Sequence, residues 1–273
     1  MSAIEAWKQR VAAHHAQSHK MRSALGVARQ DRWEPFSSFF KADPRRTDDD
    51  EVNRLAQEVT PSATLLDVGG GAGRFALPLA LRCKQVTVVE PSPSMRETLC
   101  HLAAEAGIKN VTMVARRWED VEVEPVDVVL SAHVIYLIED IGPFVAKLAA
   151  HARQKVCMLA FMRPPRARYA PFWRWVHGEE KQELPGAGEF MQVLWDLKIY
   201  PNLEMFTPIP FRPFTHWQRA LDTLRPRLFV TPDTAHDALL QQAMRELLLE
   251  TPEGYVIKGA EPGRLALISW RPV

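Results

Sequence analysis

A run of glycines directly after an acidic residue is the strongest chemical signal in the chain. The segment from Asp67 to Gly73 reads DVGGGAG, and it lies between a short apolar run that begins at Thr64 and a helical pattern that reaches about Leu81. Glycine at a turn from strand to helix lets the backbone approach a ligand closely and aims the first amides of the helix at it. The segment therefore predicts a ligand-binding loop.

The spacing of the glycines leaves two classes of ligand open. The dinucleotide fingerprint G-x-G-x-x-G/A can be threaded through Gly71, Gly73 and Ala76, which would indicate an NAD(P)-binding oxidoreductase. Asp67 opposes this interpretation, because a carboxylate lies poorly beside a pyrophosphate but well beside an ammonium group. Glu90 ends the next apolar run, at the distance where a carboxylate holds both hydroxyls of a ribose. A cationic amino-acid head joined to a nucleoside satisfies both carboxylates.

Regular alternation of strands and helices positions these residues. Short runs of β-branched and apolar residues without polar alternation are typical of strands covered on both faces, and intervening helical patterns indicate parallel crossovers. The sequence therefore predicts an α/β fold with a doubly wound sheet. Its first five strands are predicted at Thr64–Val68, Val86–Val89, Val111–Ala115, Val126–Ser131 and Val156–Phe161.

Four segments together resemble the class I S-adenosylmethionine-dependent methyltransferases of the small-molecule branch. The glycine loop within Leu65–Arg74 is similar to the first motif of that family, and Val86–Pro91 to the second. Ala115–Asp120 is similar to the third motif, and Val126–His133 to the motif of the fourth strand. The resemblance covers about residues 60 to 162.

The resemblance implies a Rossmann-like, seven-stranded sheet whose last strand pair is antiparallel. The terminal segments Tyr255–Lys258 and Arg264–Trp270, the latter with alternating polarity, are expected to supply that pair. It also implies an enzyme that transfers a methyl group by in-line displacement from S-adenosylmethionine, leaving S-adenosylhomocysteine. The acceptor would be an oxygen, nitrogen or carbon of a small molecule.

The family's cofactor contacts transfer to this sequence position by position. The resemblance places Asp67 and the glycine loop at the methionine part, Glu90 at the ribose diol and Met95 near the adenine face. The full set of cofactor-binding residues predicted in this way is Asp67, Gly69, Gly70, Gly71, Gly73, Glu90, Pro91, Met95, Arg117, Trp118, Glu119, Ser131 and His133.

One position departs from the family pattern. Many relatives have an aspartate after the third strand that contacts the adenine amino group, but the aligned residue here is Arg117. Arginine cannot accept a hydrogen bond. We therefore expect the backbone amide and the ring of Trp118 to define this side of the adenine slot, with Glu119 as a replacement acceptor.

The acceptor side of the site is less defined. Ser131 and His133 follow the fourth strand and would line the sulfonium, and His133 is the candidate catalytic base, although substrate binding and a structural role stay open. No Asn/Asp-Pro-Pro-aromatic tetrapeptide stands there, which argues against methylation of adenine N6 or of glutamine. The predicted substrate-binding residues are Trp33, Phe36, Tyr136 and Arg163.

The composition of the 273-residue chain bears on its partners. The net charge is +1, with 34 basic and 33 acidic side chains, so the broad basic field of a nucleic-acid binder is absent. An RNA methyltransferase therefore ranks below a small-molecule enzyme. Three separated cysteines suggest neither disulfides nor a metal site, and no apolar run is long enough to span a membrane. We expect a cytoplasmic monomer or homodimer without a metal.

Proline is distributed unevenly, with 13 of 21 residues at or beyond Pro164. This skew predicts an inserted cap after the fifth strand rather than a separate second domain. We divide the chain into an N-terminal helical lid (1–60), a cofactor-binding core (61–162), an inserted substrate cap (163–203) and a C-terminal part that completes the sheet (204–273).

Overall fold

A computed structural model describes residues 1–25 and 41–272, so the predicted acceptor residues Trp33 and Phe36 lie outside the described residues. The helices are α1 (Ala3–Ala24), α2 (Asp50–Leu55), α3 (Ala76–Ala80), α4 (Pro93–Glu105), α5 (Ile141–Ala150), α6 (Ala170–His177), α7 (Ala187–Asp196), α8 (Trp217–Arg227) and α9 (Ala235–Leu247). The strands are β1 (Thr64–Val68), β2 (Gln85–Val89), β3 (Val111–Val114), β4 (Val126–Ala132), β5 (Ala152–Phe161), β6 (Asn202–Met205), β7 (Leu248–Thr251), β8 (Gly254–Ile257) and β9 (Leu265–Trp270).

Seven strands form one sheet in the order β3-β2-β1-β4-β5-β9-β6. The first five are parallel, and β9 runs antiparallel to both of its neighbours, β5 and β6. The chain reverses its direction of winding between β1 and β4, which is where ligands bind in open α/β sheets. The predicted Rossmann-like fold is confirmed, including the five parallel strands and the antiparallel end.

Both faces of the sheet are covered by apolar side chains, which explains why its strands lack polar alternation. Leu66, Val129 and Ile268 pack on one face with α1, α5 and α7. Their neighbours in the chain, such as Leu65 and Val128, pack on the other face with α2, α3 and α4. Successive strand residues point to opposite faces, so a strand buried on both sides must be apolar at every position.

Two expectations for the C-terminal strands are wrong. Tyr255–Lys258 was expected in the main sheet, but β8 pairs with β7 in a separate hairpin, and β6 forms the outer strand of the sheet instead. The hairpin is held elsewhere because Tyr255 and Ile257 pack against α6, α8 and α9. All six residues from Leu265 to Trp270 are buried, since β9 is an inner strand covered on both faces, so the expected alternation is absent.

The predicted N-terminal helix is present and lies against α5 and α7. Trp7 and Val11 are buried, and the Trp7 indole donates a hydrogen bond to the Ile138 carbonyl at 2.8 Å. Arg10 forms an ion pair with Glu189 of α7. Within the described ranges, no helix combines the length and apolarity needed to cross a membrane.

A third apolar cluster lies outside the two layers that flank the sheet. It joins α6, α8, α9 and the hairpin through side chains such as Trp173, Leu224 and Met244. Arg225 of α8 holds Asp237 of α9 by two hydrogen bonds of 2.8 and 2.7 Å. Helix α6 belongs to this cluster, whereas α7 packs on α1, so the predicted cap segment 163–203 contributes to two layers. The division of the chain into four segments stays a prediction.

Candidate active site

The glycine loop leaves β1 at the carboxyl edge of the sheet, and its backbone lies close to its neighbours. Gly69 has a φ of +74°, and a Cβ atom at this position would lie 2.5 Å from a methyl carbon of Val134. A Cβ atom at Gly70 would lie 2.7 Å from a carboxylate oxygen of Asp67. Only glycine permits both the left-handed backbone and these approaches. The loop therefore lies directly over the Asp67 carboxylate.

Asp67 is buried, and neither of its carboxylate oxygens has a hydrogen-bond partner among the described residues. Burial, with a smaller contribution from Glu90, raises the pKa of Asp67 to about 7. An unpaired carboxylate is costly in an enclosed site unless a cation or a proton neutralises it. Asp67 is thus a buried carboxyl group, without a partner among the described residues, beneath a loop built for close approach.

Glu90 lies beside this loop, because β2 is the parallel neighbour of β1. One oxygen of its buried carboxylate accepts a hydrogen bond from the Gly71 amide at 3.0 Å. The other accepts one from the Ser92 amide at 2.8 Å. The Ser92 hydroxyl in turn accepts from the Met95 amide and begins α4. Glu90 therefore links the glycine loop to the start of α4.

Met95 and Pro91 flank this link. Met95 is buried, and its sulfur would lie 3.9 Å from a Cβ atom at Gly71. Pro91 is exposed, and its carbonyl accepts a hydrogen bond from Arg96 at 2.7 Å. The structure thus brings Asp67, the loop, Glu90 and Met95 together, as the motifs predict; their contacts with a cofactor stay a prediction.

The third motif packs against the end of α5. The Trp118 ring is buried 5.0 Å from the ring of His151 and 4.9 Å from the ammonium of Lys147, both at the far end of α5. The ring is therefore part of the core on the α5 side, and its predicted place beside adenine stays a prediction. Arg117 is exposed and lies 3.6 Å from the Glu119 carboxylate. Roles for the Trp118 amide and for Glu119 stay predictions.

His133 stands directly after β4 with a φ of +62°. Its ring stacks on Phe161 with centroids 5.3 Å apart, and the Phe75 ring lies 6.2 Å away on a tilted plane. The Nδ1 atom is enclosed and has no hydrogen-bond partner among residues 1–25 and 41–272. Burial, and then the charge of Arg74, lower the pKa of His133 to about 4. The imidazole is therefore neutral at ordinary pH.

Ser131 and Tyr136 form hydrogen bonds with the protein backbone. The Ser131 hydroxyl donates to the Val68 carbonyl at 3.1 Å and ties β4 to β1. Tyr136, expected at the acceptor, is buried in the core, and its hydroxyl accepts a hydrogen bond from the Phe161 amide at 2.7 Å. Burial raises the pKa of Tyr136, so its hydroxyl stays neutral. In this structure the residue supports the end of β5.

Arg163, the remaining acceptor candidate, is exposed and forms an ion pair with Glu183 at 2.6 Å. Two residues that we did not predict, Phe75 and Phe161, enclose the His133 ring instead. A signal for both exists in the sequence, since Phe75 closely follows the glycine loop and Phe161 ends the fifth strand at the same edge of the sheet.

Comparison with known proteins identifies the family of this central region. A family model described as a methyltransferase domain matches residues 66–156, which include the glycine loop, Glu90 and His133. Residues 66–156 are thus similar to a methyltransferase domain. The resemblance drawn from the four motifs is thereby confirmed. Among the described residues, no group of three or more histidine, cysteine or acidic side chains is placed to hold a metal ion.

Two curated proteins are similar to part of this chain. An uncharacterized protein of Haemophilus influenzae is 31% identical over 103 residues, which are 37% of this chain and 38% of the relative. A ubiquinone biosynthesis O-methyltransferase of Rickettsia conorii is 29% identical over 104 residues, which are 38% of this chain and 35% of the relative. The matches thus span little more than a third of these relatives.

The fold of the methyltransferase domain extends beyond the matched sequence. The crystal structure of the YcgJ protein from Bacillus subtilis superposes with a TM-score of 0.55 at 14% identity. The superposition covers 80% of this chain and 96% of that protein. At this level of identity the similarity concerns the fold alone.

Proposed function

We propose that this protein is an S-adenosylmethionine-dependent methyltransferase that acts on a small-molecule acceptor. The observation that carries the proposal is the buried Asp67 carboxylate, which has no partner among the described residues and lies under the glycine loop. An ammonium group is the ligand that such a carboxylate favours. The matched methyltransferase domain and the name of the Rickettsia conorii relative support the same reaction class.

The residues present fit the cofactor. Asp67 would hold the ammonium of the methionine part, and the amides of the glycine loop would approach the carboxylate of that same methionine part. Glu90, whose two carboxylate oxygens accept the Gly71 and Ser92 amides, would hold the ribose hydroxyls. When bound, S-adenosylmethionine supplies a methyl group on a positively charged sulfur.

The chain's own contribution to the reaction is alignment and exclusion of water. Phe75 and Phe161 enclose the His133 ring and present apolar surface beside the glycine loop. An enclosed apolar surface favours a displacement in which charge is lost. His133 is neutral, so it can accept the hydrogen bond or the proton of an acceptor O–H or N–H group. A base with a pKa of about 4 is weak, so we assign His133 mainly to acceptor orientation.

The net charge of the chain and the position of His133 favour a small-molecule acceptor. The net charge of +1 disfavours a polyanionic acceptor such as RNA, whose binding needs many basic contacts. The atom that receives the methyl group, whether oxygen, nitrogen or carbon, depends on the acceptor itself. A small molecule with an ionisable O–H or N–H group would use His133 directly.

Calorimetry with three ligands tests the proposal. S-adenosylhomocysteine should bind one to one, and so should 5′-methylthioadenosine, which lacks the amino-acid part. Asp67→Asn should lower the affinity for S-adenosylhomocysteine by at least about tenfold and leave the affinity for methylthioadenosine unchanged, because only S-adenosylhomocysteine has an ammonium group. Asp140→Asn removes an exposed carboxylate of equal charge and serves as the control.

The failure of the proposal has a clear signature. Absence of S-adenosylhomocysteine binding at millimolar concentration would contradict it. Binding of NADH that S-adenosylhomocysteine does not displace would replace it with a dinucleotide-dependent activity.

A further inference from the structure

The guanidinium group of Arg168 lies on an aromatic platform in the turn that follows β5. Its central carbon is 3.9 Å from the centre of the Phe211 ring and 4.8 Å from that of Tyr169. One of its nitrogens donates a hydrogen bond to the Tyr169 hydroxyl at 2.7 Å. The two rings therefore fix the plane of the guanidinium, and the hydroxyl fixes its rotation.

Arg168 differs from several other arginines in having no carboxylate partner among the described residues. Arg163 pairs with Glu183, Arg174 with Glu180 and Arg225 with Asp237, whereas no carboxylate among residues 1–25 and 41–272 forms an ion pair with Arg168. A guanidinium has five N–H donors, and the Tyr169 hydroxyl takes only one of them. Donors of a half-buried, oriented cation thus remain for an acceptor from outside the protein.

A second cation strengthens the positive potential around Tyr169. The central carbon of the Arg227 guanidinium lies 5.7 Å from the centre of the Tyr169 ring. Burial lowers the pKa of Arg227, and the charges of Arg168 and Arg219 lower it further. Two guanidinium groups thus lie close to the Tyr169 ring.

The platform stands at the same edge of the sheet as His133. The turn with Arg168 follows β5, and the segment with Phe211 follows β6, which runs in the same direction as β5. Ile209, two residues before Phe211, exchanges two hydrogen bonds of 2.8 Å with Gly263.

Gly263 completes the connection to His133. A Cβ atom at Gly263 would lie 3.0 Å from the Phe161 ring, and that ring stacks on His133. The segment that carries Phe211 is thus linked to His133 through Ile209, Gly263 and Phe161.

We infer that Arg168 binds a carboxylate group of the acceptor, and that the acceptor's body is planar and apolar. The inference rests on the proposed function and specifies its substrate class. The fork of N–H donors in arginine matches the two oxygens of a carboxylate, and enclosure strengthens such a pair. Phe211 lies against this anchor and Phe161 lies against His133, and such aromatic rings suit an aromatic carboxylate.

A pair of isosteric probes tests the inference. Benzoate and benzamide have nearly the same shape, but only benzoate is charged. Each is titrated into the protein with and without S-adenosylhomocysteine, and the arginine Nε–H signals are followed by nuclear magnetic resonance. Benzoate should shift the Arg168 signal and bind at least about tenfold tighter than benzamide.

Three variants locate the effect. Arg168→Gln should abolish the preference for benzoate, and Arg168→Lys, which keeps the charge but not the fork, should retain only part of it. Arg174→Gln removes an exposed arginine of α6 and should keep the full preference for benzoate over benzamide. Thermal melting monitors folding, and if Arg168→Gln does not fold, the reduced preference of Arg168→Lys decides the matter.

The outcomes separate this inference from the proposed function. Equal binding of the two probes, no binding of benzoate, or a preference that survives in Arg168→Gln would each overturn the inference, even if S-adenosylhomocysteine binds. Failure to bind S-adenosylhomocysteine would instead contradict the proposed function. Both ideas are supported if Arg168→Gln loses the benzoate preference but binds S-adenosylhomocysteine within about twofold of the unaltered protein.

Discussion

The two halves of the proposed site are built in different ways. The cofactor half uses residues 67–95, a single stretch in which two neighbouring strands end, and much of it is backbone. The acceptor half gathers side chains from distant segments, among them His133, Phe161, Arg168 and Phe211. A cofactor has the same structure in every enzyme that uses it, so a loop of constant backbone conformation can bind it. A specific acceptor needs side chains whose types can vary without disturbing the sheet.

Among the described residues, the two halves also differ in the sign of the charged group that has no ion-pair partner. The cofactor half holds the buried Asp67 carboxylate, and the acceptor half holds the Arg168 guanidinium on its platform. A buried charge without a partner is a cost to the folded protein that a ligand of opposite charge relieves. The difference therefore predicts a cationic ligand in one half and an anionic ligand in the other.

The largest expected effect comes from closing the cofactor half. Gly69→Ala places a methyl group 2.5 Å from the Val134 side chain, in a backbone of positive φ. We expect affinity for S-adenosylhomocysteine to fall by at least about 100-fold, measured by calorimetry. Gly107→Ala is the matched control, because Gly107 has a φ of +67° and nothing within 4 Å of an added Cβ atom.

The control separates backbone strain from the loss of space. Both variants should lose about 1–2 kcal/mol of unfolding free energy from the left-handed backbone, but only Gly69→Ala should lose the ligand. Equal affinity of the two variants for S-adenosylhomocysteine would show that the glycine loop is not the cofactor contact.

A smaller effect follows from the protonation of Asp67. With its pKa near 7, this carboxyl is protonated in the free protein at lower pH and cannot hold an ammonium there. Affinity for S-adenosylhomocysteine should therefore fall by about tenfold for each pH unit below about pH 7. Methylthioadenosine should show no such slope, and neither should Asp67→Asn with either ligand. A slope shared by both ligands would assign the titration to another group.

The same carboxyl affects the stability of the free protein. Its raised pKa means that the folded state disfavours the ionised form, so the cost grows as the pH rises from 3.8 to about 7 and is constant above. Ionisation of Asp67 thus lowers the unfolding free energy by about 4 kcal/mol. Asp67→Asn avoids this loss but buries an amide, which offsets part of the gain. Asp67→Asn should stabilise the free protein by about 1–2 kcal/mol at about pH 8, and by less at about pH 5. Thermal melting at both pH values checks this.

In the acceptor half, His133→Asn should lower turnover by about tenfold while affinity for S-adenosylhomocysteine changes by less than about twofold. The loss reflects an acceptor that is oriented less well. His101→Asn, at an exposed position on α4, should change neither quantity. Because the imidazole is already neutral above about pH 5, turnover should show no histidine-dependent limb between about pH 6 and 8. A limb in that range that disappears in His133→Asn would identify a general base with an ordinary pKa.

The cofactor half of the site could be predicted from the sequence, whereas much of the acceptor half could not. Asp67, the glycine loop and Glu90 could be placed because strand ends and left-handed glycines are local properties of the chain. The packing of the Trp118 ring on His151 could not be predicted, because α5 lies far along the chain. The pair of Arg168 with Phe211 could not be predicted, since it depends on how the segments after β5 and β6 meet.

The outer strand shows the same limit of local patterns. The segment at Tyr255 has the polarity of a sheet strand, but its apolar side chains pack against the helices of the third cluster. Asn202–Met205 is exposed throughout and carries little apolar signal, yet it pairs with β9. Backbone pairing at the edge of a sheet does not require an apolar pattern.

The smallest expected effect separates two arginines of the acceptor half. Arg163, a substrate candidate from the sequence, is exposed and already paired with Glu183. An exposed ion pair contributes about 0–1 kcal/mol, so Arg163→Gln should alter the unfolding free energy by less than about 0.5 kcal/mol. It should also leave the preference for benzoate over benzamide unchanged, whereas Arg168→Gln abolishes it. If Arg163→Gln weakens benzoate as much as Arg168→Gln does, the anion site includes both side chains. Glu183 would then have to release Arg163 when the acceptor binds, and Glu183→Gln would strengthen benzoate binding.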